Sequence, residues 1–163
     1  LRQAERVRVG CLAQIINVIA PLMTNETSVL RQTIYYPYAW SLKYARGSVL
    51  DLLFECDTYQ VPNVGTTPYL DVAATWDAGS REAAVFVLNR DLNAEREVVL
   101  EWRTAPARVL GCDTLTGPDL KAANTFEQPK RVVPQSLEAP KPGATMTLKV
   151  PARSYTVLRL GFA

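Results

Sequence analysis

The chemistry open to this chain is narrowed first by what it lacks. Histidine is absent from the 163 residues. That removes any Ser-His-Asp or Cys-His mechanism built from this chain alone, and with it the commonest metal ligand. The three cysteines, Cys11, Cys56 and Cys112, are widely spaced and form no Cys-x-x-Cys pair. No zinc site is therefore expected, and neither another metal nor a cofactor. Buried free thiols in a reducing compartment are the simplest reading. Carboxylates remain as candidate acids and bases. Glu5 falls at a helix start and Glu26 in a polar loop. Asp51, Glu55 and Asp57 gather where the sequence pattern changes, and the others mostly mark turns and solvent faces. None of these positions stands out by spacing alone. Trp40, Trp76 and Trp102 could stack on a ligand, but their spacing does not make a flat platform, and core or interface packing is expected.

The elements that would position these residues come in two kinds. Residues 1–19 predict a helix, because Val7, Cys11, Leu12, Ile15 and Ile19 recur at three- and four-residue steps. Val9, Ile16 and Val18 add apolar groups on its other side, so the helix is expected to be buried against something large. Asn25-Glu26-Thr27 fits a glycosylation pattern but sits in an ordinary polar loop. Val29 to Tyr36 predicts a strand ended by Pro37, and Tyr38 to Arg46 a short helix stopped by Gly47. From Ser48 onward short strands follow one another. They are expected at Val49–Cys56, Tyr69–Trp76, Ala83–Leu88, Glu97–Trp102, Arg108–Leu115, Val132–Val133, Thr145–Val150 and Ser154–Leu160. Asp77-Ala78-Gly79-Ser80 has hairpin-turn composition. The reading is mostly β: residues 48–163 form a β-sandwich, and residues 1–47 are a helix-strand-helix piece of an α/β layer.

Hydrophobic residues make up 48% of the chain and charged residues 21%, values that fit a globular protein and argue against disorder. The net charge of +2 is spread, not striped. Arg2, Arg6, Arg8 and the Lys130-Arg131 pair read as solvated surface, so no nucleic-acid partner is expected. The apolar run Cys11–Met23 is interrupted by Gln14 and Asn17 and falls short of the roughly 18–20 residues that span a bilayer. No membrane partner is expected. Leu1 is not an initiator residue, so a longer parent chain is expected, and any export signal would lie outside these residues.

Several segments go further. The run Arg6-Val7-Arg8-Val9-Gly10-Cys11-Leu12-Ala13-Gln14-Ile15-Ile16-Asn17-Val18-Ile19-Ala20-Pro21-Leu22-Met23-Thr24 is followed by Arg31-Gln32-Thr33-Ile34-Tyr35-Tyr36-Pro37 and Tyr44-Ala45-Arg46-Gly47. Later come Pro68-Tyr69-Leu70-Asp71, Phe86-Val87-Leu88-Asn89-Arg90, Leu115 to Thr125, Arg131-Val132-Val133-Pro134 and Ser154-Tyr155-Thr156-Val157. Together, and in this order, they resemble the α-L-arabinofuranosidases of glycoside hydrolase family 51 over nearly the whole chain.

The resemblance implies a (β/α)₈ barrel followed by a jelly-roll-type β-sandwich. Residues 1–47 would then be the C-terminal remnant of the barrel, with residues 1–20 its next-to-last helix and 29–36 its eighth strand. Residues 48–163 would be the sandwich. It also implies a retaining hydrolase, whose two carboxyl groups stand about 5–5.5 Å apart. Both would be glutamates on earlier barrel strands, outside this chain, so the chain alone is expected to be inactive. Active sites of such barrels form at the C-terminal ends of strands, which Gln32 approaches. Its amide, which both donates and accepts, is the expected contact to arabinofuranose. Tyr35 and Tyr36 are weaker candidates for the mouth of the site. Leu30 stands where the family usually has tryptophan, so no aromatic contact is expected there. The implied substrates are arabinofuranosyl oligo- and polysaccharides such as arabinan and arabinoxylan. The implied partners are the missing N-terminal barrel and further copies of the enzyme. A cytoplasmic setting is expected, with an extracellular one left open. The alternative is a non-catalytic carbohydrate-binding or oligomerisation sandwich.

Overall fold

The computed structural model describes residues 1–163. The chain begins with an irregular segment and a short hairpin of β1 (Leu22–Thr24) and β2 (Val29–Arg31), paired antiparallel. One helix follows, α1 (Tyr35–Tyr44). The remaining strands are β3 (Ser48–Val49), β4 (Thr58–Val61), β5 (Gly65–Pro68), β6 (Leu70–Asp77) and β7 (Glu82–Asn89). After them come β8 (Arg96–Glu101), β9 (Arg108–Leu115), β10 (Gln135–Ser136), β11 (Thr145–Val150) and β12 (Ser154–Gly161). A six-stranded antiparallel sheet runs β10-β9-β12-β7-β6-β3. The pair β11-β8 faces it, and β4-β5 stands apart as a hairpin.

The main core fills the space between the two facing sheets. Leu70, Val72, Val85, Val87, Leu158 and Leu160 come from the large sheet, and Val98, Met146, Leu148 and Val150 from the small one. In β11 the inward residues Met146, Leu148 and Val150 alternate with exposed Thr145, Thr147 and Lys149, the period-two pattern of a sheet with one wet face. β7 and β12 do not alternate. Ala83 to Val87 are buried without interruption, because α1 covers the far side of the same sheet. There Trp40 of α1 packs with Ala84, Phe86, Leu115, Val132 and Val157. Its indole stacks on Tyr155 with ring centres 6.0 Å apart. The result is three layers, helix, large sheet and small sheet, with two separate apolar interfaces.

Several elements differ from their expected form. The helix predicted over residues 1–19 does not form. Val7, Val9, Ile15, Ile16, Val18 and Ile19 are exposed, and Gln14, Asn17 and Val18 adopt left-handed backbone at φ 57–64°. A helix apolar around most of its circumference gains stability by burying that surface, and nothing in this chain covers it. For the same reason Cys11 is exposed; Cys56 is half-buried against the main core, and of the three free thiols only Cys112 is buried.

The strand predicted over 29–36 stops at Arg31, since its partner β1 offers three residues to pair with. Pro37 does not end a strand but lies in the first turn of α1, where its missing N–H costs nothing. The helix ends at Tyr44, earlier than expected. Gly47 follows at φ +73° with its Cα against the Trp76 carbonyl, so a side chain there would meet backbone. The Val49–Cys56 strand is cut to its first residues. Leu50 still donates to the Ala74 carbonyl, and the chain then leaves the sheet edge. Residues 52–57 cross towards β8 and help line an apolar cavity of about 420 Å³. The expected Val132–Val133 strand does not form: Val132 is buried under α1, and the short strand β10 follows at Gln135. The β4-β5 hairpin was not expected. Its signal is Pro62-Asn63-Val64-Gly65, in which Asn63 and Gly65 take the positive φ of a short hairpin loop.

Candidate functional site

The candidate site is the end of β2, and it is built largely from backbone hydrogen bonds. The β1-β2 loop is closed by Asn25, whose carboxamide oxygen accepts from the Thr27 and Ser28 amides at 3.0 and 2.8 Å. Asn17 lies beside the hairpin and fastens it from outside. Its amide donates to the Leu22 carbonyl at 2.8 Å, and its side-chain oxygen accepts from the Thr24 amide at 2.7 Å. In sequence Asn17 reads only as a polar interruption in an apolar run. Its left-handed backbone, which asparagine tolerates better than most residues, explains why it belongs there.

Gln32 directly follows β2 and is half-buried. Its amide donates to the Pro21 carbonyl at 2.9 Å, and its carbonyl accepts from the Tyr35 amide at 3.0 Å. The second bond turns the chain from strand into α1. Tyr35 and Tyr36 therefore sit on the first helical turn, not on a strand end. Their rings meet edge to face at 5.5 Å, and the Arg31 guanidinium lies 5.3 Å from the centre of the Tyr35 ring. Burial pushes the Tyr36 phenol above its ordinary pKa; Arg31 opposes that and Tyr35 reinforces it. Tyr36 also packs against the Trp40 interface, so its ring supports α1. The sequence-predicted group thus comes together along one turn of chain, with Gln32 at its strand side.

The carboxylates are engaged elsewhere. Asp71 sits between Arg2 and Arg90 at 2.8 and 2.5 Å. Arg96 joins Asp91 and Asp57 at 2.7 and 2.9 Å, and its guanidinium lies 4.0 Å from the centre of the Tyr69 ring. The Asp91 carboxyl is held below the usual range by the Asn93 and Ala94 amides first and by Arg96 after them. Asp77 is lowered by the Gly79 amide and then the Ser80 hydroxyl, which closes the expected β6-β7 turn. These carboxylates hold turns and strands, each through an arginine or backbone amides. Trp76 and Trp102 both pack edge-on against Phe162, at 5.1 and 5.6 Å, as core packing requires. No group of three metal-type side chains converges, and no helix is long and apolar enough to cross a membrane.

Comparison with known proteins fits this architecture. The family model for the α-L-arabinofuranosidase C-terminal domain matches residues 1–154. The chain therefore belongs to that family of C-terminal domains. An intracellular exo-α-(1→5)-L-arabinofuranosidase of Streptomyces lividans is 38% identical over 141 residues, covering 85% of this chain and 21% of that protein. A Bifidobacterium longum enzyme of the same name is 32% identical over 165 residues, covering 95% of this chain and 29% of that protein. The solved structure of a family 51 α-L-arabinofuranosidase from Bifidobacterium longum superposes with a TM-score of 0.91 at 31% identity, over 98% of this chain and 32% of that one. The glycoside hydrolase family 51 arabinofuranosidase of Xanthomonas axonopodis pv. citri superposes at 0.86 with 25% identity, over the same shares. The chain spans about a fifth to a third of the length of the curated relatives it matches.

Proposed function

We propose that these residues are the C-terminal part of a retaining α-L-arabinofuranosidase, which removes terminal α-L-arabinofuranosyl groups from arabinan, arabinoxylan or arabino-oligosaccharides. The observation that carries this reading is the family match over residues 1–154. Residues 1–47 close the catalytic barrel and residues 48–163 form the sandwich that supports it. The nucleophile and the acid/base are glutamates outside this chain, so the chain alone does not turn over substrate. Gln32 hydrogen-bonds the bound sugar, a role suited to a half-buried amide whose backbone is already held. Tyr35 and Tyr36 wall the same end of the site. The enzyme works in the cell interior, as the names of several relatives say of those proteins. It assembles as a homo-oligomer.

An aryl α-L-arabinofuranoside tests the proposal. The intact enzyme containing this chain hydrolyses it, and the first product formed in methanol keeps the α configuration. The 163-residue chain gives no turnover above solvent. Inversion would refute the two-glutamate displacement, and turnover by the chain alone at the intact rate would refute the division of labour.

A further inference from the structure

Gln32 is held by its neighbours, and one of them comes from far along the chain. The peptide group between residues 31 and 32 is planar, so two bonds at its opposite ends fix its orientation. Its N–H donates to the Pro21 carbonyl at 2.9 Å. Its C=O, from Arg31, accepts from the side-chain amide of Asn124 at 3.0 Å. Asn124 lies on the long loop between β9 and β10, part of the sandwich, 93 positions from Arg31. It is only 3% exposed. Its amide nitrogen also donates to the Val132 carbonyl at 2.9 Å, and its oxygen accepts from the Val132 amide at 2.8 Å. Val132 belongs to the packed interface under α1. Asn124 is therefore locked to the sandwich by two bonds and reaches the end of β2 with a third.

We propose that Asn124 is a positioning residue of the sugar site: the sandwich sets the direction of the Gln32 side chain through the Arg31 carbonyl. This rests on the reading of Gln32 as a sugar contact. Without Asn124 the 31–32 peptide is held at one end only and can rotate. The Gln32 amide then loses its aim, which weakens sugar binding while leaving the reacting carboxylates untouched. KM should therefore respond more than kcat.

The test is a double-mutant cycle in the intact enzyme containing this chain, with an aryl α-L-arabinofuranoside as probe. Gln32→Ala, Asn124→Ala and their combination are compared, with Asn124→Ser as a milder variant that keeps a hydroxyl near Val132 but does not reach Arg31. Asn89→Ala serves as control, since Asn89 is another buried asparagine that holds backbone carbonyls but lies away from β2. Asn124→Ala and Asn124→Ser raise KM about five- to tenfold, the range expected for losing one positioning hydrogen bond. In the Gln32→Ala background they add no further rise, because the aimed group is gone. Asn89→Ala lowers Tm but leaves KM within about twofold. If Gln32→Ala leaves KM unchanged, the sugar-contact reading falls and this proposal with it. If Gln32→Ala raises KM but the Asn124 effect multiplies with it, or appears only in Tm, the Asn124 proposal alone is overturned.

Discussion

Asn89 closes the far end of the sandwich, and its removal has a cost that can be worked from its bonds. The residue ends β7 in the large sheet and is 1% exposed. Its amide nitrogen lies 3.1, 3.1 and 2.9 Å from the carbonyls of Ala94, Val150 and Pro151, which share its two N–H donors. Val150 is the last residue of β11, so this side chain ties the two sheets together. Its oxygen accepts from the Asp91 amide at 2.9 Å. In Asn89→Ala the carbonyls that share its two donors, and the Asp91 amide, lose that partner. Each buried group left unpaired costs about 1–3 kcal/mol. The Ala94 carbonyl is near solvent and recovers water, so about 2–4 kcal/mol is expected in total. For a chain of this size that lowers Tm by roughly 5–15 °C. The assay is thermal unfolding of the 163-residue chain by near-ultraviolet circular dichroism, which reports its packed aromatic rings. Asn89→Asp sharpens it. A carboxylate there would face three carbonyl oxygens, so its folded pKa would lie above its unfolded value. The variant should be most stable below the ordinary aspartate range and lose that stability as pH rises. A Tm within about 2 °C of the parent for Asn89→Ala, or an Asn89→Asp variant indifferent to pH, would refute the reasoning.

Three further outcomes follow from other parts of the fold. Gly47→Ala should destabilise the chain by more than the 1–2 kcal/mol or so of a left-handed alanine, because the new methyl group also meets the Trp76 carbonyl; urea unfolding measures it. Asp91 and Asp77 have depressed folded pKa values, held by the Asn93 and Gly79 amides respectively. Their contribution to stability is present above the unfolded value of about 3.9 and is lost as pH falls through the folded one. Asp91→Asn should therefore flatten the acid limb of a Tm-against-pH curve. Burial, followed by the neighbouring Asp113, pushes the Cys112 thiol up to about 11. Iodoacetamide at pH 8 should label exposed Cys11 rapidly and Cys112 only on unfolding, and mass spectrometry of the peptides reads both.

The long sandwich strands were legible in the sequence because their apolar pattern and turn residues agree. Arg108–Leu115 and Thr145–Val150 form over the expected spans, and Ser154–Leu160 runs one residue longer. The first third was less legible, for a reason of scale. Periodicity in residues 1–19 states a preference for helix, but the preference is realised only where a surface covers the apolar groups. Likewise, strand-forming Thr33 to Tyr36 had no partner strand to pair with, and α1 took the tyrosines. Pattern alone put Gln32 inside a strand expected over 29–36; its place near a strand end, and the sugar contact proposed for it, rest on the family resemblance. Asn124 was not legible. A single asparagine in a loop with Gly117, Pro118 and Asp119 looks like solvated turn, and only the fold brings it to Arg31.

The three-layer arrangement bears on where this chain can be cut and rejoined. By sequence pattern the natural place to cut the chain is near residue 47. A cut there would leave behind the helix that carries Trp40, and the transplanted sheet would arrive with Ala84, Phe86 and Val157 bare to water. The stretch that keeps both faces of this sheet covered is therefore longer than residues 48–163 and includes α1. Trp40 and Tyr155 stack across that helix–sheet interface, so the packing of one side chain depends directly on the other.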